Sequence, residues 1–179
     1  MKTNPLFTLT LVLIILLSII SCTKTEEIDK LPPITMEGKN TFGCLVNGKS
    51  WIPETDGGLF NERLSVRYEG NYLGIQALIS SNRNNLRQLI HVDASFSDLG
   101  IYKIPPLPFS GEMFTNSKNK PMGTIECTSY KCILEDTEIE ILYIDTSKRI
   151  ISGTFSYKNL TNRCGDVINI TDGRFDVRY

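Results

Sequence analysis

The stretch Arg149 to Leu160, RIISGTFSYKNL, alternates with a period of two: Ile151, Gly153, Phe155 and Tyr157 fall on one parity, Ser152, Thr154 and Ser156 on the other. A β-strand sends successive side chains to opposite faces, so this pattern demands a sheet dry on one side and wet on the other. A helix would scatter the same residues around its axis. No part of the domain sustains an amphipathic helical period beyond a turn or two, so the alternation sets the fold class.

The same period recurs along the chain. TFGCLVNGKSWIP contains Asn47-Gly48, a pair that accepts positive φ at both positions and so suits a two-residue hairpin turn between strands at Phe42 to Val46 and Lys49 to Ile52. Further extended runs cover Leu64 to Tyr68, Tyr72 to Ile79, Arg87 to Ala94, Gly100 to Ile104, Thr124 to Ser129, Thr137 to Asp145 and Val167 to Tyr179. Within the last of these, Ile168 and Ile170 have even parity but Phe175, Val177 and Tyr179 odd. A β-bulge at Asp172-Gly173 would restore a common inward face. These signals predict an all-β domain, a mainly antiparallel sandwich or barrel of about nine to eleven strands.

One long segment lacks any pattern: Pro105 to Pro121, PPLPFSGEMFTNSKNKP. Loops of this length in compact domains are functional or disordered, and Phe109, Met113 and Phe114 argue for order. Phe109 and Phe114 are expected either to plug one end of the domain or to contact a ligand from the loop.

The amino terminus specifies location. Lys2 precedes an uncharged apolar run, Leu6 to Ile20, which as a helix would reach about 22 Å, short of the roughly 30 Å hydrocarbon core. That is signal-peptide anatomy, not a permanent span. The run closes on IISC, which resembles the bacterial lipobox at all four of its positions. The resemblance implies that residues 1–21 are removed and that Cys22 carries the lipid as the first mature residue. Residues 22–39, charged and ending in prolines around TKTEEIDKLPP, then read as a flexible tether, with a single β-domain over 40–179. Thr23 follows the cysteine, so the inner-membrane retention aspartate of enterobacterial lipoproteins is missing. The expected location is the cell envelope, anchored to the outer membrane on its periplasmic or surface side. KTEE also resembles, over a short stretch, the surface-export signals of Bacteroidota lipoproteins.

Two stretches, TFGCLVNGKSWIP near the start of the domain and RIISGTFSYKNL with ITDGRFDVRY at its end, resemble a family of uncharacterised Bacteroidota lipoproteins that carry a domain of unknown function. The matching residues are strand, turn and bulge elements. The resemblance therefore implies a fold and an envelope location, and brings no catalytic residue with it.

With 19 Lys and Arg against 20 Asp and Glu, and no basic cluster interleaved with aromatics, nucleic acid is not an expected partner. Setting Cys22 aside, Cys44, Cys127, Cys132 and Cys164 form an even set in an exported chain, with three possible pairings. Cys127 with Cys132 and Cys44 with Cys164 is the favoured arrangement, the second closing a loop worth roughly 5 kcal/mol by chain entropy. Buried thiols are the alternative; a four-cysteine zinc site fits poorly, because two ligands lack a near partner. The lone histidine, His91, shares a face with Asp93 but has no nucleophile elbow beside it. Glu138 and Glu140 share a strand face at a spacing that glycoside hydrolysis can use, but such a pair more often forms a solvated outer face, since catalysis also needs a cleft and one raised pKa. DGRFD resembles a calcium loop, and its bulge role accounts for it without metal. No cofactor or metal is expected. The predicted function is a non-catalytic envelope module that binds a glycan, peptide or protein; the alternatives are an assembly subunit of an envelope complex and a carboxylate-based hydrolase.

Overall fold

The computed structural model describes residues 25–55, 62–81, 86–102, 114–118, 129–130, 137–161 and 165–179. Twelve strands form among them: β1 Thr41–Val46, β2 Lys49–Trp51, β3 Glu54–Thr55, β4 Leu64–Glu69, β5 Tyr72–Ser81, β6 Leu86–Ser95, β7 Gly100–Tyr102, β8 Phe114–Lys118, β9 Ser129–Tyr130, β10 Thr137–Asp145, β11 Ile150–Thr161 and β12 Val167–Arg178. The first sheet runs β2-β1-β12-β11-β10-β7. The second runs β3-β5-β6-β8-β9, with β4 also paired to β5. Every pairing is antiparallel except β3 with β5. The two sheets stay open, so the fold is an all-β sandwich and not a barrel.

The core lies between the sheets. Phe42, Cys44, Trp51, Ile139, Ile141, Ile151, Phe155, Phe175 and Val177 come from the first, and Leu73, Ile75, Ala77, Ile90, Val92 and Ala94 from the second; all are buried. Hydrogen bonds cross this apolar layer among the described residues: Trp51 Nε1 donates to Gln88 Oε1 at 3.0 Å and Tyr157 Oη to the His91 carbonyl at 3.2 Å. Burying an indole and a phenol with their polar tips satisfied avoids the cost of orphaned donors and ties the sheets in one relative position.

The local expectations for β1, β2 and β12 hold. Asn47 and Gly48 have φ of 49° and 78°, as a type I′ turn needs. On β12 both neighbours lose register across the same place: Phe155 pairs Gly173 but Tyr157 pairs Ile170, and Gly43 pairs Arg174 but Leu45 pairs Thr171. Asp172, at φ 53°, occupies the extra position, so Ile168, Ile170, Phe175 and Val177 all face inward. The bulge does what the change of parity required.

Two expectations need correction. The segment Pro105 to Pro121 is not patternless throughout, because Phe114–Lys118 is strand β8, paired with β6 and β9. Its sequence, FTNSK, carries one apolar residue, so pairing to an open edge forms it and hydrophobic alternation does not. Phe114 opens that strand opposite Ile90, while Phe109 lies outside the described residues. The second correction concerns residues 22–39. From residue 25 onward they are docked, not a free tether. A helical turn over 25–29 leads to Leu31, 6% exposed, and Pro32 lies over Gly43 on the outer face of the first sheet.

This strap is fastened by Asp176, whose carboxylate accepts hydrogen bonds from Thr35 Oγ1 at 2.6 Å, Ser152 Oγ at 2.7 Å, and the amides of Gly38 at 2.7 Å, Glu37 at 3.1 Å and Lys39 at 3.2 Å. Burial alone would raise the carboxyl; the Thr35 and Ser152 hydroxyls and the Gly38 and Lys39 amides outweigh it and hold the value at about 2. Arg178 adds bonds to the carbonyls of Gly38 and Glu37, and Gly38 and Asn40 turn the chain into β1 through positive φ.

Candidate binding cleft on the outer face

The strap covers one part of the outer face of the first sheet and leaves another part open. There β10, β11 and β12 carry their wet-face residues in register, Glu140 opposite Thr154 and Thr154 opposite Arg174, with Glu138 opposite Ser156 one row along. The bulge places Asp172 beside them. Together with Ile34 of the strap, these side chains line a cleft of about 270 Å³. Ile101 on edge strand β7 is opposite Glu140 and exposed, extending the same row.

The geometry is polar and open. Thr154 Oγ1 lies 3.5 Å from Glu140 Oε2, the long limit of a hydrogen bond, while Thr171 Oγ1 donates to Asp172 Oδ2 at 2.8 Å. Arg174 bonds the Asp172 carbonyl through Nε at 3.2 Å and the Pro32 carbonyl through Nη1 at 3.4 Å. The guanidinium thereby bridges bulge and strap at the cleft rim. Three carboxylates against one guanidinium give the cleft a negative bias, and two hydroxyls supply both donors and acceptors. All the polar side chains stand on hydrogen-bonded strands, which fixes their spacing.

A smaller recess, about 120 Å³, opens at the sandwich edge where Lys39 and Arg63 meet the apolar side chains of Ile52, Pro53 and Leu64. Its opposite charge and separate walls make it a distinct feature. Among the described residues no group of three His, Cys, Asp or Glu side chains is placed to hold a metal ion.

The residues singled out from the sequence are distributed as follows. Glu138 and Glu140 do come together, in the cleft. Cys44 is a free thiol, fully buried in the core; its inward parity on β1 places it among apolar side chains, and burial pushes its pKa far up. Cys22, Cys127, Cys132 and Cys164 lie outside the described residues. Asp93 accepts from Tyr72 Oη at 2.7 Å, and that phenol is raised to about 12 by burial and by the carboxylate. The sequence reading did not assemble Thr154, Ser156, Asp172, Arg174 and Ile34 into the site. The Ser/Thr parity of RIISGTFSYKNL marked the wet face, but only the bulge and the strap convert that face into a cleft.

Among the described residues no helix is long and apolar enough to cross a membrane. The chain is an open β-sandwich with an N-terminal strap and a polar cleft on one outer face. The chain matches no family model, no curated protein and no solved structure.

Proposed function

We propose that this chain is a lipid-anchored protein of the cell envelope, held at the outer membrane through Cys22, and that its sandwich is a non-catalytic module binding a glycan, peptide or protein in the β10–β11–β12 cleft. The observation that carries the binding reading is the registered row Glu140–Thr154–Arg174, flanked by Glu138, Ser156 and Asp172 in an open cleft. Mixed carboxylates, hydroxyls and a guanidinium at fixed spacing suit a hydroxylated or cationic ligand, since each can pair with a sugar hydroxyl, an amide or an ammonium group. The anchor reading is supported by IISC at the end of an apolar run too short to span a bilayer. Two or more acyl chains on one cysteine hold a protein to lipid durably, where a single chain binds only marginally.

Carboxylate-based hydrolysis is the weaker use of the same cleft. A general acid needs an apolar, water-excluded surround, and Glu138 is exposed with hydroxyls as its neighbours across the strand. An assembly subunit is the second reading, favoured by edge strand β7, where Ile101 is exposed by 62%, with Leu99 just before the strand exposed by 58%.

The test has two parts. Wild-type protein is expected in the membrane fraction and Cys22→Ser protein in the soluble fraction; unchanged attachment refutes the anchor. Binding to arrays of glycans and cationic peptides is then compared between wild type and Glu140→Gln. Retained binding in the variant removes the cleft from the function, and a co-purified protein lost on Ile101→Ser favours assembly.

A further inference from the structure

We infer that Cys22 holds the domain on a leash of only two residues, Thr23 and Lys24, and that the pole bearing the Asn47-Gly48 turn lies against the lipid surface. This rests on the lipid-anchor reading above. Residues 22–39 as a free tether would let the domain stand off by up to about 60 Å, at about 3.3–3.6 Å per residue. The structure removes most of that length. Thr25 already belongs to the docked helical turn, and Glu27 Oε2 within that turn accepts the Ser50 amide of β2 at 2.7 Å. Lys30 bonds the other oxygen of Glu27, and the Leu31 amide closes the turn on the Ile28 carbonyl at 3.0 Å. The hydrogen bond from Lys30, then that from the Ser50 amide, holds Glu27 at about 2, so the clamp stays charged at any physiological pH. Three Cα–Cα steps of about 3.8 Å separate Cys22 from Thr25, which limits the anchor to about 11 Å from the turn.

The clamp also selects which end of the domain faces the lipid. Ser50 stands two residues past the Asn47-Gly48 turn, and Asn47 bonds Asn169 near the start of β12, so β1, β2, β11 and β12 all bring ends to this pole. It exposes Lys49 and half of Val167, while Lys30 is paired with Glu27 and the acidic Glu26, Asp29 and Asp166 are exposed in the same segments, so the short leash and not net charge turns this pole to the lipid. The opposite pole, with the β10–β11 turn at Thr146, is about 40 Å away along twelve-residue β11.

The experiment uses the full lipidated chain in vesicles of phosphatidylethanolamine and phosphatidylglycerol, with an acceptor dye on a fraction of the phosphatidylethanolamine headgroups. A fluorescent amino acid replaces Lys49 in one protein and Thr146 in another. Energy transfer from position 49 is expected to exceed that from position 146 severalfold. Inserting fifteen Gly/Ser residues between Lys24 and Thr25 is expected to bring the two positions together. Equal transfer from both positions in the native-length chain, or no effect of the insert, overturns the short leash. Cys22→Ser protein that stays on the vesicles like wild type overturns the anchor reading itself, whatever the transfer shows.

Discussion

Gly153 of β11 stands directly opposite Phe175 of β12, and the ring lies over the place where a side chain would be. Two residues along, the relation is reversed, with Phe155 opposite and over Gly173. Each glycine gives an aromatic ring a flat seat on the neighbouring strand, and the first sheet gains two large inward side chains without being forced apart. A methyl group on Gly153 would run into the Glu140 carbonyl oxygen and come within 2.6 Å of Phe175 Cζ. Gly153→Ala is expected to destabilise by about 1–3 kcal/mol, the range for overpacking. Phe175→Ala should lose about 3–5 kcal/mol as a buried aromatic truncation. Urea unfolding checks both. The double variant should remain less stable than Phe175→Ala alone, because removing the ring does not move the carbonyl.

Asp176 gives a prediction in pH. Its pKa is depressed to about 2 in the folded chain from an ordinary value near 3.8, so the unfolded chain binds the proton more readily. The stability it contributes is fully present above about pH 4 and is lost as pH falls toward 2. Asp176→Asn keeps the shape but not the charge-assisted bonds, and is expected to cost about 2–4 kcal/mol at neutral pH. Its unfolding free energy should also change less than that of wild type between pH 4 and 2. Equal slopes in that window would remove the carboxylate from the strap's fastening.

Cys44 is expected to be chemically silent in the native protein. Its thiol is buried among apolar side chains with a raised pKa, and thiolate, not thiol, is the reacting species. Peptide-resolved mass spectrometry after brief iodoacetamide treatment should find Cys44 unmodified when folded and alkylated in denaturant without reductant. Protection that persists in denaturant would mean a disulfide in place of the free thiol.

Glu138→Gln and Glu140→Gln should leave the melting temperature nearly unchanged, within the roughly 0.5 kcal/mol typical of surface substitutions, since both side chains face solvent on the open part of the sheet. A large loss of stability in either would mark the pair as structural support and not as a binding surface.

The parts of the fold that depend on near neighbours in sequence were legible. The two-residue period of β10, β11 and β12, the Asn47-Gly48 turn and the bulge at Asp172 are each written within a dozen residues. The inward placement of Cys44 follows from the same parity as Phe42. The strap was not legible, because a charged, proline-ended segment has the same composition whether docked or free. What docks it is a carboxylate 141 residues from Thr35, and Asp176 looked like one more outward residue of an alternating strand. Strand β8 was hidden for a related reason, since FTNSK takes its conformation from the β6 edge. The cleft shows the division most clearly: Glu138, Glu140, Thr154 and Ser156 were placed on wet faces by parity, while Asp172 and Arg174 join them only through a bulge that two neighbouring strands must accommodate.

The partners of the strap and of β1 both lie on β12, and this sets an order on the making of the protein. Synthesis runs from residue 25 toward residue 178, so the strap and β1–β2 hairpin emerge long before the strand they need. Until β12 arrives, β1 has one unpaired edge and an uncovered apolar face, and the donors of Thr35, Glu37, Gly38 and Lys39 have no carboxylate to meet. Contacts of such long sequence separation form late and slowly. Any chain still lacking β12 therefore presents an unpaired strand edge, and a holding chaperone has more to protect in its early residues than in its late ones.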